Sequence, residues 1–360
     1  MSSALPLIEK ITATAVDVPL ARPIKTSVGT IPSSPLVLIE VVAAHDIVGR
    51  SYIFGYTPVT LRPLVALLEN LEALLVGKSI SPVERQRDFT ATFRLLGRQG
   101  LLGMAISGLD MALWDALGKH QDQSVCRLLG GEERPVPAYD SYGAIDPDQD
   151  LGLMEKAVAR GFAGVKIKLG HGGLADDVAT VAAVREVIGP DTRLMVDYNQ
   201  SLTVPEATRR IDRLADYDLQ WVEEPVPAED LAGHATVRAA SPVGIQTGEN
   251  WWFPEDLARA IAAEASDFAM LDIMKIGGVT GWMRAAGLAA GASLPVSSHL
   301  FIEASAHVLA VTPGAHFLEY LDIAGALLKA PLPLEDGKLR PRGPGLGIEW
   351  DPKTVAKYSL

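Results

Sequence analysis

From Pro135 onward, short β-branched or apolar runs alternate with stretches whose apolar positions recur at helical spacing, a rhythm that predicts parallel strands joined by crossover helices. Eight such runs follow one another: VPAYDSYG, GVKIKLG, LMVDYN, WVEEPV, GIQTGEN, FAMLDIMKIGG, PVSSHL and FLEYLD. The segments between them, such as DPDQDLGLMEKAVARGF and GLADDVATVAAVREVIGPDTR, open on acidic or small residues as helices do. Eight parallel strands alternating with helices suggest a closed β/α barrel. No repeated text underlies the rhythm, which argues against a solenoid.

The first 130 residues read differently. ITATAVDVPL and PLVLIEVVAAHDIVGRSYIF alternate as antiparallel strands do, and helical patterns follow over Leu64 to Leu75 and Gly100 to Leu117. The expected organisation is therefore an α+β capping domain over 1–130, a barrel over 131–330 and a Pro- and Gly-rich tail over 331–360. The tail is expected to pack back on the capping domain and to end in a short strand or extended run. Between the first two strands, ARPIKTSVGTIPSS reads as a connection, and its Ile24, Val28 and Ile31 suit a lid over a pocket better than a solvated loop.

Composition narrows the classes of function. A chain of 360 residues with 48% hydrophobic and 21% charged residues is long enough and apolar enough for a large core. Its net charge of −12 has the wrong sign for general phosphate-backbone binding, so nucleic acid is not an expected partner. The most membrane-like stretch, Gly100 to Leu117, carries Asp110 and Asp115 and reads as a buried helix. A single cysteine, Cys126, and an N-terminus without a secretory pattern suggest a reducing, cytoplasmic setting.

Candidate chemistry lies at the ends of the expected barrel strands, because those ends converge on one mouth. In order they offer Lys166 and Lys168, Asp197 and Asn199, Glu223, Glu249, Asp272, His299, and Glu319. Residues two apart on a strand share a face, so both lysines can point into the mouth, where neighbouring carboxylates offset the cost of burying them. Asp197, Glu223 and Glu249 provide hard oxygen donors from three adjacent strands, which suits Mg2+, with Mn2+ as a substitute. Asp272, one strand from His299, can fix the imidazole in one tautomer and raise its basicity, as a general base requires.

The motifs DMALWDALGK, AYDS, VKIK, MVDYNQS, WVEEP, GEN, MKIGGVTGW, SSHLF and FLEYLD, in this order and spacing, resemble the enolase superfamily, and within it the mandelate racemase subgroup, over nearly the whole chain. The resemblance implies a modified TIM barrel, (β/α)7β, with an N-terminal capping domain completed by the C-terminal tail. It also implies a magnesium-dependent isomerase that removes the proton α to a carboxylate through an enediolate. On this reading Asp197, Glu223 and Glu249 hold the metal, and Lys168 and the His299–Asp272 pair are bases on opposite faces of the substrate. Lys166 neutralises the substrate carboxylate and Glu319 donates a hydrogen bond to it, while Asn199 and Ser141 orient the ligand. Relatives assemble as symmetric oligomers, so a homo-oligomer is expected.

The same resemblance places Ile24, Val28, Ile31, Phe54, Tyr56, Leu95, Leu300 and Leu321 around the substrate side chain. A polyol there would leave hydroxyls unpaired at about 1 to 3 kcal/mol each, so racemisation of mandelate or a related 2-hydroxy aryl acid is favoured over dehydration of an acid sugar. A non-catalytic carboxylate-binding barrel is a third reading, opposed by the completeness of the nine mouth residues. Lys275 in MKIGG is a rival base, since a lysine in a similar motif serves muconate-cycloisomerase-like relatives. Lys25 and Tyr142 stand where the racemase that names the subgroup has histidines, and Arg22 and Arg98 where it has tyrosines, which leaves the substrate side chain open.

Overall fold

The computed structural model describes residues 5–26 and 29–360. The N-terminal module is an antiparallel sheet of β1 (Ile8–Thr26), β2 (Gly29–Ala43) and β3 (Ile47–Phe54), followed by helices α1 (Leu61–Glu72), α2 (Pro82–Thr92), α3 (Leu101–Gln121) and α4 (Val125–Leu128). Helix α3 lies so close on the sheet that a Cβ at Gly49 of β3 would sit 2.0 Å from the Ala112 carbonyl. By length and composition α3 could cross a membrane, yet 78% of its apolar window is buried inside this molecule. Both of its acids are buried and engaged. Asp115 accepts from the Arg50 and Leu346 backbone N–H groups at 2.7 Å each and pairs with Lys119 at 2.8 Å. Asp110 reaches out of the module altogether, as described below.

The barrel consists of β4 (Val136–Ser141), β5 (Gly164–Lys168), β6 (Arg193–Asp197), β7 (Leu219–Glu223), β8 (Ile245–Thr247), β9 (Phe268–Asp272), β10 (Val296–His299) and β11 (Leu318–Tyr320). Successive strands from β4 to β10 pair in parallel, and β11 pairs with β4. Bonds from His316 N to Val296 O (2.8 Å) and Ser298 N to Phe317 O (3.0 Å) close the ring between β10 and β11. Seven helices join the eight strands: α5 (Pro147–Ala159), α6 (Leu174–Ile188), α7 (Val204–Leu214), α8 (Leu231–Ala240), α9 (Phe253–Ala262), α10 (Gly278–Gly291) and α11 (Ile302–Val311). This is the modified TIM barrel, (β/α)7β, with its capping domain. Several helices start as their sequences dictate: Asp146 caps α5 through the Asp148 N–H, with Pro147 at the first helical position. Inside the barrel, Tyr139, Met195, Trp221, Met270 and Phe317 form an apolar cluster beneath the mouth.

The two domains share a helix end. Asp110 of α3 accepts the Thr280 N–H at 2.9 Å, and Trp114 Nε1 donates to Thr280 Oγ1 at 2.9 Å, so a capping-domain helix satisfies the first turn of barrel helix α10.

Three local differences from the sequence reading have physical reasons. The segment expected as a connection between the first strands carries ladder pairs, with Ile24 opposite Ile31, Lys25 opposite Thr30 and Thr26 opposite Gly29, so the described part of the lid is a β-ribbon. Helix α2 escapes the sequence pattern because only Pro82, Gln86 and Phe89 of its residues are buried, too few for a periodic stripe. The tail divides its contacts. Its hairpin, β12 (Leu334–Glu335) and β13 (Lys338–Leu339), pairs with the start of β4. Beyond it Gly345 bridges Ser124, and Glu349 pairs with Arg50 at 2.8 Å and Lys119 at 3.0 Å. The chain then forms a terminal helix, α12 (Pro352–Tyr358), started by Asp351 on the Lys353 N–H, before Ser359 bridges Val16.

Candidate active site

Strand geometry delivers the polar residues to one place. Lys166 and Lys168 of β5 both face inward; Lys166 Nζ lies 2.5 Å from Glu223 Oε1 and 2.8 Å from Glu319 Oε1, and Lys168 Nζ donates to Asp197 Oδ2. Carboxylate oxygens of Asp197, Glu223 and Glu249 all come within 4.8 Å of one another. Glu249 is not on a strand as the sequence pattern implied: β8 stops at Thr247 and Gly248 turns the chain at φ +132°. A Cβ there would sit 2.6 Å from the Met270 carbonyl, so only glycine permits the turn that presents Glu249. Beneath the mouth, Trp221 Nε1 (3.1 Å) and Gln246 Nε2 (3.2 Å) donate to Glu223 Oε2 and fix its rotamer from below.

At the other side, His299 Nδ1 lies 2.6 Å from Asp272 Oδ2. The second Asp272 oxygen accepts the Met274 and Lys275 N–H groups at 2.7 and 3.1 Å, so the carboxylate is saturated and oriented. Nε2 sits 3.3 Å from Glu249 Oε2, which like Asp272 can only accept, so the two carboxylates together favour the imidazolium, with an N–H toward each. Glu319 accepts from Ser141 Oγ at 2.8 Å and from the Leu300 N–H at 3.0 Å, besides Lys166. Asn199 turns back on Asp197, its N–H to Oδ1 at 2.7 Å and Nδ2 to Oδ2 at 3.0 Å.

The electrostatics are those of too many acids in too little water. Asp197, Glu223, Glu224, Glu249, Asp272 and Glu319 share the mouth with Lys166, Lys168 and Lys275. Burial, with Asp197, Glu249 and Glu319 nearby, pushes Glu223 up to about 8 against the pull of Lys166. Glu224 is raised well above its usual range by burial and then by Glu249 and Asp197. Burial also raises Asp197 and Glu319, but the lysines outweigh it at Asp197, and Lys166 and His299 do so at Glu319, which falls to about 2. The ammonium of Lys168 is lowered by burial and more than restored by Asp197, so whatever takes over the Asp197 charge releases the lysine. His299 follows the same logic: burial lowers it, and Glu249 and Asp272 bring it above its ordinary value. Three convergent hard oxygens amid surplus negative charge are the donor set and the field that a divalent cation requires.

A cavity of about 220 Å³ opens above these groups, with Lys168, Asn199, Gln200, Glu249, Asn250 and His299 on its polar side. Its other side is Ile24, Ile31, Phe54, Tyr56, Leu300, Leu321 and Ile323, with Thr26 at the ribbon tip. Val28 lies outside the described residues. Leu95 is a correction: it is fully exposed on the turn after α2, away from the cavity, because that turn carries it to the outer surface of the chain. The four departures also stay out of the pocket wall. Arg22 pairs with Asp150 at 3.3 Å and lies 5.1 Å over the Tyr142 ring, whose hydroxyl donates to Asp140 at 2.6 Å. Lys25 is exposed, and Arg98 covers the Phe253 ring at 4.2 Å.

Lys275, the rival base, is tied down: Nζ donates to Asn250 Oδ1 at 2.6 Å and lies 4.9 Å from the Tyr56 ring centre, while Asn250 Nδ2 donates to Glu224 Oε2 at 2.8 Å. Sequence reasoning passed over Asn250, Glu224, Gln200 and Ile323, although each is next to or near a singled-out residue in GEN, WVEEP, MVDYNQS and FLEYLDI. Gln200 and Glu224 share a mark that Asn250 and Ile323 lack, an unusual backbone conformation. Asn199, Gln200, Glu224, Leu300 and Tyr56 all have φ between +34° and +65°, the left-handed region that non-glycine residues occupy at a cost.

Comparison with known proteins agrees with this geometry. Residues 9–130 match the mandelate racemase / muconate lactonizing enzyme N-terminal domain, and 151–354 the enolase C-terminal domain-like family. A solved enolase from Bradyrhizobium, complexed with magnesium and mandelic acid, is 54% identical with a TM-score of 0.97 over 100% of both chains. The D-galactarolactone cycloisomerase of Agrobacterium fabrum is 32% identical over 90% of this chain and 91% of its own length. An L-talarate dehydratase from Polaromonas sp. JS666, solved with magnesium and L-glucarate, is 27% identical with a TM-score of 0.89 over 99% of this chain and 98% of its own. The chain belongs to the mandelate racemase and muconate lactonizing enzyme family of the enolase superfamily.

Proposed function

We propose that this protein is a magnesium-dependent racemase of mandelate or a related 2-hydroxy acid with an aryl or other apolar α-substituent. The observation that carries the reading is that Lys168 and the His299–Asp272 pair open into one cavity whose far wall is apolar. Asp197, Glu223 and Glu249 would hold the metal, which supplies positive charge to a substrate carboxylate as its α-carbon loses a proton. The α-proton passes to Lys168 Nζ from one enantiomer or to His299 Nε2 from the other, and the opposite base returns a proton to the other face.

Negative charge accumulating on the substrate carboxylate meets Lys166. An incoming carboxylate competes with Glu319 for that ammonium; once Lys166 is shared, burial is free to raise Glu319 until it holds a proton and donates it in a hydrogen bond. Asn199 at the cavity wall and Ser141 beside Glu319 orient the hydroxyl and the carboxylate. The fixed Lys275–Asn250 bond supports Lys168, and not Lys275, as the amine base.

The test is direct. Each mandelate enantiomer is incubated with the protein and Mg2+ in D2O, and optical rotation and α-deuterium are followed; loss of rotation from both, with deuterium gained, is expected, and unchanged rotation of both sinks the reading. Dehydration of an acid sugar is the second reading, favoured by relatives such as the Polaromonas L-talarate dehydratase. It predicts a 2-keto acid from an aldonate or aldarate panel, and the apolar wall opposes it.

A further inference from the structure

The turn that follows His299 is strained. Leu300 and Phe301 are consecutive non-glycine residues in the left-handed region, at φ +50° and +52°. Such a pair persists only where surrounding contacts over-determine it. Two contacts are local to the barrel: the Leu300 N–H donates to Glu319 at 3.0 Å, and Ser305 Oγ donates to the Leu300 carbonyl at 2.8 Å. The third comes from the capping domain. Tyr52 of β3 stacks its ring on Phe301, centroids 5.2 Å apart, and its hydroxyl donates to Glu303 Oε2 at 2.7 Å in the first turn of α11. Trp350 of the tail closes on the same tyrosine ring from the edge at 6.2 Å.

Both Tyr52 and Glu303 are buried, and neither lines the cavity nor touches the carboxylate cluster. A buried carboxylate and phenol are expensive to retain without a task. Strand β3 also carries Phe54 of the cavity wall, two residues on from Tyr52 and so on the same face of the strand. We propose that Tyr52 and Glu303 are positioning residues for His299: they clamp the Leu300–Phe301 turn from the capping domain and so set the imidazole against the substrate's α-carbon. Lys168, on β5 at another part of the mouth, has no contact with this clamp. The inference rests on the two-base reading above.

That asymmetry gives the test. α-Proton exchange of each enantiomer is measured separately in D2O with Mg2+ for wild type, Lys168→Ala, His299→Asn, Tyr52→Phe and Glu303→Gln. Lys168→Ala and His299→Asn should each abolish exchange of a different enantiomer; if they do not, the two-base reading fails whatever the clamp does. Given that they do, Tyr52→Phe should slow exchange of the His299-dependent enantiomer about tenfold, as loss of a buried hydrogen bond allows, and leave the Lys168-dependent enantiomer within about threefold. Glu303→Gln, which can still accept from Tyr52, should keep exchange of the His299-dependent enantiomer within about threefold of wild type. The Lys168-dependent rate in the same preparation reports folding. If Tyr52→Phe does not accumulate, Glu303→Met removes the acceptor and carries the same expectation. Equal slowing of both enantiomers, or no slowing of either, overturns the clamp.

Discussion

The cavity has two walls of different origin. The polar wall is built from the ends of parallel strands and the turns just beyond them, and Lys166, Lys168 and His299 each have a carboxylate partner on another strand. The apolar wall joins Ile24 and Ile31 of one β-ribbon and Phe54 and Tyr56 at the end of β3 to Leu300, Leu321 and Ile323 of the barrel loops, and the ribbon has a register shift between Pro19 and Ile24. A closed barrel fixes geometry to the precision that proton transfer needs, whereas a two-stranded ribbon can change its side chains without disturbing the barrel. The barrel supplies all of the charge at the cavity, and the ribbon only Ile24, Ile31 and the uncharged Thr26.

The largest expected effect breaks the polar wall. Glu223→Ala removes a central oxygen donor and leaves Lys166 buried without its nearest partner; kcat/KM should fall more than about a thousandfold, and the rise in Tm on adding Mg2+ should be lost. Next comes the scaffold behind that wall. Burial lowers His307 to about 4; its Nδ1 accepts the Cys126 N–H at 3.2 Å and its Nε2 faces the Arg342 carbonyl at 3.1 Å, a neutral tautomer with no room for a second proton. Because its folded pKa lies below the unfolded value, the stability it contributes is present above about pH 6.5 and lost as pH falls toward 4, on the order of 3 kcal/mol in all. The denaturant midpoint should fall as pH drops through that window in wild type and fall less in His307→Gln.

The apolar wall should yield smaller and more selective changes. Ile31→Ala and Leu321→Ala each uncover part of the substrate side chain, and kcat/KM should drop roughly tenfold, mainly through KM, with kcat for the α-proton step largely kept. A kcat collapse in either would place the apolar wall in the chemistry and erase the distinction between the walls. Smallest of all is Arg22→Ala: its pair with Asp150 is about a third exposed on the arginine side, so a change under about threefold is expected in the same assay.

The same contrast governs what could be read from the chain. Lys166, Asp197, Glu223, Asp272 and His299 were legible because a strand end is a short, strongly patterned signal and the barrel converts strand order into spatial order. Glu249 was legible as a residue but not as a conformation, since the turn at Gly248 depends on the approach of Met270, which no local pattern records. The ribbon reads as a connection in the sequence because its β-ladder contains two prolines and few buried residues. Leu95 was assigned to the pocket through resemblance alone, and its exposed turn has no periodicity by which the chain could have corrected that. The Tyr52–Glu303 bond joins residues 251 positions apart and had no sequence signature at all.

The sharing of a helix end between Asp110, Trp114 and Thr280 has a consequence for engineering. A barrel cut out at residue 131 would present the first turn of α10 with bare N–H groups directly behind Asp272 and Lys275, so excision of the capping domain would unsettle the very loop that holds the base in register. Any exchange of lid residues should therefore keep α3 native to its own barrel, because the domain boundary is a poor place to cut.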